Sequence, residues 1–243
     1  MHVRLVEDTC KGRWPQLKNQ LTNITVLSVS QYISERLPLQ NIQLYDPYKF
    51  DRTVVSGRYA HSDAPLKVGI IGRISKTKGI NIIIDLLELI KFNGKEEQFM
   101  FYFYGEITGD IDYSTYERIV AFQNIRLITF EPDKEKMYKS IDCILHASSA
   151  EPLGRIYLEA IDFFKPLIGI KKGGIGEISG LLNYDNLMVS GNRENLHKEL
   201  FEKLMIIKQS YYKIEQDLLR VKNDASELFD CLKYTAAIDN LIN

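Results

Sequence analysis

The sequence predicts a doubly wound α/β fold: a parallel Rossmann-like sheet followed by C-terminal helices. Two observations carry that expectation. Six short, near-continuous apolar runs recur between residues 67 and 190, and the stretches between them show helical periodicity. Strands covered on both faces read as unbroken apolar runs, whereas half-solvated antiparallel strands alternate.

The earliest elements precede that region. ITVLSVS (24–30), QYISERL (31–37) and NIQLYDPYKF (41–50) read as strand, short helix and strand, with an extended linker ending near DAP (63–65). One βαβ piece cannot close a core alone. Residues 1–48 are therefore expected to be the tail of a second domain, and residues 49–66 a linker.

The main domain is expected over residues 67–190. Its strands are KVGIIG (67–72), FMFYFYG (99–105), IRLITF (125–130), DCILHA (142–147), PLIGI (166–170) and NLMVS (186–190). In GINIIIDLLELIK, Asn81, Asp85, Glu88 and Lys91 recur at steps of four, three and three, which leaves an Ile/Leu face for the core. Residues 191–243 are charged, carry no strand-like run and no glycine after Gly191, and so predict two or three helices.

Composition narrows the function classes. With 31 basic and 32 acidic side chains in 243 residues, the formal net charge of -1 gives no general case for a nucleic-acid partner. Cys10, Cys143 and Cys231 are scattered singly, which suggests neither a disulfide framework nor a zinc site. The N-terminus lacks the order of a signal peptide, and no apolar run approaches the ~20 residues of a membrane span. The expected location is the cytoplasm, with peripheral contact at the inner face of the membrane left open.

Three constellations fall at the carboxyl ends of expected strands, where open α/β sheets present ligands. GRISKTKG (72–79) follows the first strong strand, and Arg73, Lys76 and Lys78 make it either a solvated basic turn or a phosphate loop. EPLGRIYLE (151–159) places Pro152 where a helix would start and run to about Phe164, with free N–H groups toward an anion. Arg155, Glu159 and Asp162 would share its polar side, so Glu159 is either the i+4 partner of Arg155 or a ligand-binding acid. KKGGIGE (171–177) is a Gly-rich turn that can form an anion-binding concavity of N–H groups or serve sterics alone, with Glu177 in the first turn of the next helix.

Other candidates are weaker. His146 ends a strand and is either structural or cleft-facing, while His2, His61 and His197 have no partners at ligand spacing. Asp110 and Asp112 read as a turn and helix cap rather than a metal loop.

Taken in order, GRISKTKG, YG (104–105), SSAEPLGRIYLEA and KPLIGIKKGGIGE resemble the donor-binding C-terminal half of retaining GT-B glycosyltransferases of the family 4 type, the glycosyl transferases group 1. The resemblance covers about residues 24–241. It implies that Arg73 and Lys78 hold the donor diphosphate, Glu151 the donor sugar and Glu159 the ribose. Gly72, Leu153, Gly154, Gly173 and Gly174 would line the nucleotide-sugar site, and Arg73, Lys78 and Glu151 would form the catalytic set. No metal and no cofactor are implied, because fixed cations and a helix terminus can stabilise the departing diphosphate. Three positions depart from the family pattern: Gly176 stands for Pro, Leu153 for Phe, and Glu131 for a Gly near the base.

The implied function is transfer of a hexose from a UDP- or GDP-sugar to a sugar or lipid-linked acceptor, in cell-surface polysaccharide or glycoconjugate synthesis. The alternative is a non-catalytic nucleotide-sugar-binding subunit that needs a separate chain carrying the acceptor domain. A sugar-nucleotide epimerase is a third reading.

Overall fold

The computed structural model describes residues 2–3, 25–52, 64–192 and 194–242. Cys10, His61 and most of the expected linker lie outside the described residues. Among those described, a small parallel sheet contains β1 (His2–Val3), β2 (Leu27–Ser28) and β3 (Ile42–Gln43), in that order, with α1 (Gln31–Ser34) between β2 and β3.

The main sheet has six parallel strands: β4 (Leu66–Ile71), β5 (Phe99–Tyr104), β6 (Ile125–Ile128), β7 (Cys143–His146), β8 (Leu167–Ile170) and β9 (Met188–Val189). Around them lie α2 (Ile80–Phe92), α3 (Tyr113–Val120), α4 (Lys134–Ser140), α5 (Arg155–Asp162), α6 (Gly173–Leu181), α7 (Leu196–Leu228) and α8 (Cys231–Ile242). The spatial order is β6-β5-β4-β7-β8-β9. The chain winds outward from β4 to β6 and then returns to β7, so the winding reverses between β4 and β7. A doubly wound sheet opens its crevice at that reversal.

Burial follows position in the sheet. β7 and β8 are buried at every residue, as unbroken apolar runs require. β6 is an edge strand: Arg126 and Leu127 are exposed, and the strand ends at Ile128 rather than at Phe130, which is 78% exposed. On α2 the four polar positions Asn81, Asp85, Glu88 and Lys91 all face solvent, while Ile80, Ile83, Ile84, Leu86, Leu87 and Ile90 are buried. Each such side chain contributes about 1.5–3 kcal/mol of burial.

The C-terminal segment forms two helices. α7 buries Leu196, Leu200, Leu204, Ile207, Tyr211, Ile214, Leu218, Val221 and Ala225, steps of three and four that keep one stripe against the domain. It bends at Ser210, whose backbone is non-helical (φ -130, ψ 26). Its far end meets the N-terminal piece, where the Tyr48 amide donates to the Phe229 carbonyl at 3.0 Å and the Tyr45 and Phe229 rings lie 5.5 Å apart.

Two details of the helix expected after Glu151 are corrected. The helix begins at Arg155, three residues beyond Pro152, because Gly154 takes a left-handed cap (φ 82). A Cβ on Gly154 would stand 2.4 Å from Ile175 Cγ1, so the loop approaches α6 too closely for a side chain. Asp162 is not on a wet face but 2% exposed, because α7 covers that side and brings Lys222 Nζ to 2.7 Å. No described helix is long and apolar enough to cross a membrane.

Candidate functional site

The carboxyl ends of β4 and β7 open into a cleft of about 400 Å³. It is lined by Gly72 and Lys78 from the loop after β4, by His146 at the end of β7, and by the stretch from Glu151 to Ile156 with Glu159. Val29 and Asp46, from the N-terminal piece, complete it. Segments far apart in sequence converge here because the sheet reverses its winding at this point.

The loop after β4 is built for close approach. The Gly72 amide donates to the Tyr104 carbonyl at 2.9 Å, and a Cβ on Gly105 would stand 2.0 Å from the Gly72 carbonyl oxygen. The Lys76 amide donates to Asp110 at 2.9 Å, and its ammonium pairs with Asp112 at 2.9 Å, which ties this loop to the one after β5. Asp112 also caps α3 by accepting from the Thr115 amide. The acidic pair is thus a turn and cap, as its sequence suggests.

Arg73 lines a small cavity beside the cleft that shares Ile71, Lys78 and His146 with it. Its guanidinium is exposed and makes no ion pair with the described residues, which leaves its planar fork open to an anion. Lys78, by contrast, is paired with the Glu151 carboxylate.

Glu151 is the most constrained acid in the cleft. Lys78 Nζ and His146 Nε2 converge on the same oxygen, Oε1, the latter at 3.1 Å. Burial pushes the Glu151 pKa up, but the hydrogen bonds and charges of His146 and Lys78 outweigh it and hold it at about 2. Its backbone is fixed too, since the Gly174 amide donates to the Glu151 carbonyl at 2.6 Å and the Ser30 hydroxyl donates to the Pro152 carbonyl.

Glu159 stands on α5 and is held by α4 rather than by Arg155. Lys134 Nζ lies 2.7 Å from Oε1 and the Tyr138 hydroxyl donates to Oε2 at 2.9 Å. The Tyr138 ring stacks on Phe163 at 4.1 Å and 6°. No side chain caps α5, and while the Tyr157 amide donates to the Gly154 carbonyl at 2.8 Å, the leading N–H groups of Arg155 and Ile156 stand at the cleft wall formed by Gly154, Arg155 and Ile156.

Of the residues singled out from sequence, Gly72, Lys78, Glu151, Leu153, Gly154 and Glu159 line one cleft and Arg73 borders it. Gly173 and Gly174 stand behind it. A Cβ on Gly173 would stand 2.8 Å from the Glu151 carbonyl oxygen, and one on Gly174 2.5 Å from Leu153 Cα. These glycines let α6 approach the 151–154 loop, and the Gly174 amide is spent on that loop. Glu177 falls in the second turn of α6, not the first, and reaches away from the cleft to Gln31, Tyr32 and Tyr45. Sequence reasoning gave no role to Asp46, Tyr138 or Lys134, and the only sign for Asp46 was its place before Pro47 in YDPYKF.

Solved structures share this architecture. A mutant of S. aureus TarM, in complex with fondaparinux, alpha-GlcNAc-glycerol and UDP, superposes with a TM-score of 0.77 at 16% identity, over 100% of this chain and 50% of TarM. Anabaena HepE in complex with UDP-glucose gives 0.77 at 19% identity, over 99% of this chain and 71% of HepE. The C-terminal domain of the group 1 glycosyl transferase LpcC of Francisella tularensis gives 0.52 at 23% identity, over 68% of this chain and 86% of that domain. This chain thus spans half the length of TarM and less than three quarters of HepE. No curated protein matches its sequence. The family model of the glycosyl transferases group 1 matches residues 51–215, well over half of the chain. With the six-stranded parallel sheet and the cleft at its reversal, that match identifies the chain as a member of the glycosyl transferases group 1 family.

Proposed function

We propose that this chain is the donor-binding part of a retaining GT-B glycosyltransferase of the family 4 type, holding a nucleoside diphosphate hexose in the cleft between β4 and β7. The observation that carries the reading is the convergence of Lys78, Glu151, Glu159 and the N-terminus of α5 on one cleft, with the Arg73 guanidinium, unpaired among the described residues, at its border. In this reading, the diphosphate takes the Arg73 and Lys78 cations and the leading amides of α5 at Arg155 and Ile156. As the glycosidic oxygen leaves with the diphosphate, negative charge grows there, and these fixed donors stabilise it. Glu151, ionised and oriented by His146, accepts from hydroxyls of the sugar, while Lys78 turns from it toward phosphate. Glu159, oriented by Tyr138 and Lys134, accepts from the ribose hydroxyls.

Within the same proposal, residues 1–48 belong to the acceptor-side domain, 49–66 are the linker, 67–190 form the donor domain and 191–243 its helical cover. The acceptor is a sugar or lipid-linked sugar of a cell-surface polysaccharide or glycoconjugate. TarM and HepE were solved with UDP or UDP-glucose, which supports a uridine donor. Because the chain spans half of TarM, transfer is tested apart from binding.

The test is a thermal-shift and calorimetric screen of UDP, GDP, UDP-glucose, UDP-GlcNAc and GDP-mannose. At least one is expected to raise Tm, and Glu159→Ala to abolish the effect. A flat response to all five would overturn the reading. Binding without transfer, reversed when a second chain carrying an acceptor domain is added, would mark a donor-binding subunit.

A further inference from the structure

The first turn of α1 is held by a residue 146 positions further along the chain. α1 has four residues, and a helix of any length leaves its leading amides without a partner inside it. Glu177 on α6 supplies the missing acceptors. Its Oε1 accepts from the Gln31 amide at 2.8 Å and from the Tyr45 hydroxyl at 2.6 Å, and its Oε2 accepts from the Tyr32 amide at 2.9 Å. The next amide, Ile33, donates to the Ser30 hydroxyl oxygen at 3.2 Å.

Ser30 has a second bond, and it points toward the cleft. Its hydroxyl donates to the Pro152 carbonyl, next to the Glu151 carbonyl that the Gly174 amide holds at 2.6 Å. Two successive carbonyls of the loop carrying Glu151 are thus held by separate donors. The α6 grip is direct, whereas the other passes from Glu177 through residues 30–32. Val29 and Asp46, each one residue from an anchored position, line the cleft. Glu177 itself is half-buried and is not part of the lining. Three donors on one carboxylate form a charge-assisted joint, and removing the acceptor would strand the amides it serves.

We propose that Glu177 is a positioning residue: through residues 30–32 it fixes the loop 151–154, and with it the Glu151 carboxylate, without touching the ligand. Its effect on binding rests on the donor-site reading above, while its effect on the loop stands on the contacts alone. The N-terminal piece is therefore a working wall of the cleft.

The test is amide hydrogen exchange on the full chain without nucleotide, comparing wild type with Glu177→Gln, Ser30→Ala and Tyr45→Phe, followed by UDP titration of each. The Gly174 and Tyr157 amides, which donate to the Glu151 and Gly154 carbonyls of the loop, are expected to exchange about tenfold faster in Glu177→Gln and several-fold faster in Ser30→Ala, with those of β5 unchanged. Tyr45→Phe, which removes one of three donors, should lie between wild type and Glu177→Gln. If Glu177→Gln fails to fold, the two milder variants carry the test. Wild-type exchange at these two amides in the folded variants, or faster exchange spread evenly over the sheet, would overturn the proposal. Faster loop exchange in a protein that binds no nucleotide would uphold the positioning role and remove the donor-site reading. Faster loop exchange with unchanged UDP affinity would overturn the link to binding, which is expected to weaken at least fivefold in Glu177→Gln.

Discussion

Lys78 and Glu151, 73 positions apart in the chain, form an ion pair across the reversal of the sheet, and His146 joins them on the same carboxylate oxygen. The pair links a loop after β4 to a loop after β7. One acid thus carries both the electrostatics of the cleft and a tie between the two halves of the sheet.

Acid should dissolve that tie within a defined window. Glu151 has its pKa lowered from 4.5 to about 2. A carboxylate lowered in the folded state stabilises fully above its unfolded pKa, and the contribution is lost as pH falls through the folded value. Tm followed from pH 5 to pH 2 should therefore fall more steeply in wild type than in Glu151→Gln, which cannot titrate. Parallel curves would show that Glu151 contributes nothing to acid stability.

The two cations of the loop after β4 should respond differently to truncation. Arg73 has no partner among the described residues, so Arg73→Ala should leave stability within about 0.5 kcal/mol while UDP affinity falls about tenfold or more. Lys78→Ala strips a partner from the mostly buried Glu151 and should cost about 1–3 kcal/mol of stability as well as affinity. Urea denaturation paired with UDP calorimetry separates the two patterns.

Two glycines of α6 should answer oppositely to alanine. At Gly174 a Cβ would meet Leu153 Cα and the Pro152 carbonyl oxygen, both at 2.5 Å and both backbone. Overpacking of about 1–3 kcal/mol there exceeds the helix-propensity gain of about 1 kcal/mol. At Gly180 nothing lies within 4 Å, so Gly180→Ala should stabilise by up to about 1 kcal/mol. Denaturation midpoints of both variants check the contrast, and Gly174→Ala should also lose UDP.

Lys222 and Asp162 fasten α7 to α5 at 2.7 Å, with Asp162 buried at 2% exposure. Asp162 also accepts from the Arg52 amide at 3.2 Å and the Tyr48 hydroxyl at 3.4 Å. Lys222→Met would leave a buried carboxylate without its cation, at about 3–5 kcal/mol. A double variant with Asp162→Asn should recover part of that loss in urea denaturation.

What could be read from sequence divides along one physical line. Strand runs and the α2 face were legible because burial on both sides, or on one, writes a local pattern; Asn81, Asp85, Glu88 and Lys91 all face solvent as their spacing demands. Most residues that meet in the cleft were also legible, since loops after parallel strands must gather at one edge. Partnerships were not. Nothing local joins Glu159 to Tyr138 or Asp162 to Lys222, and of the two readings of Glu159 the Arg155 pairing gave way to contacts from α4. Asp162 looked solvated because a helix pattern cannot show that a later helix will cover it.

The reversal of the sheet also has a consequence for the life of the chain before it is native. Lys78 finds Glu151 only after the chain has wound out through β5 and β6 and come back, and Tyr32 finds Glu177 across 145 positions. Such separations are slow to close. Helices and local turns can form while the cleft does not yet exist, so a chain with full helical signal can still be unable to bind. A ligand that fits between β4 and β7 would be recognised by the finished molecule and by none of its precursors, so binding in that cleft would be a strict measure of whether this protein has folded.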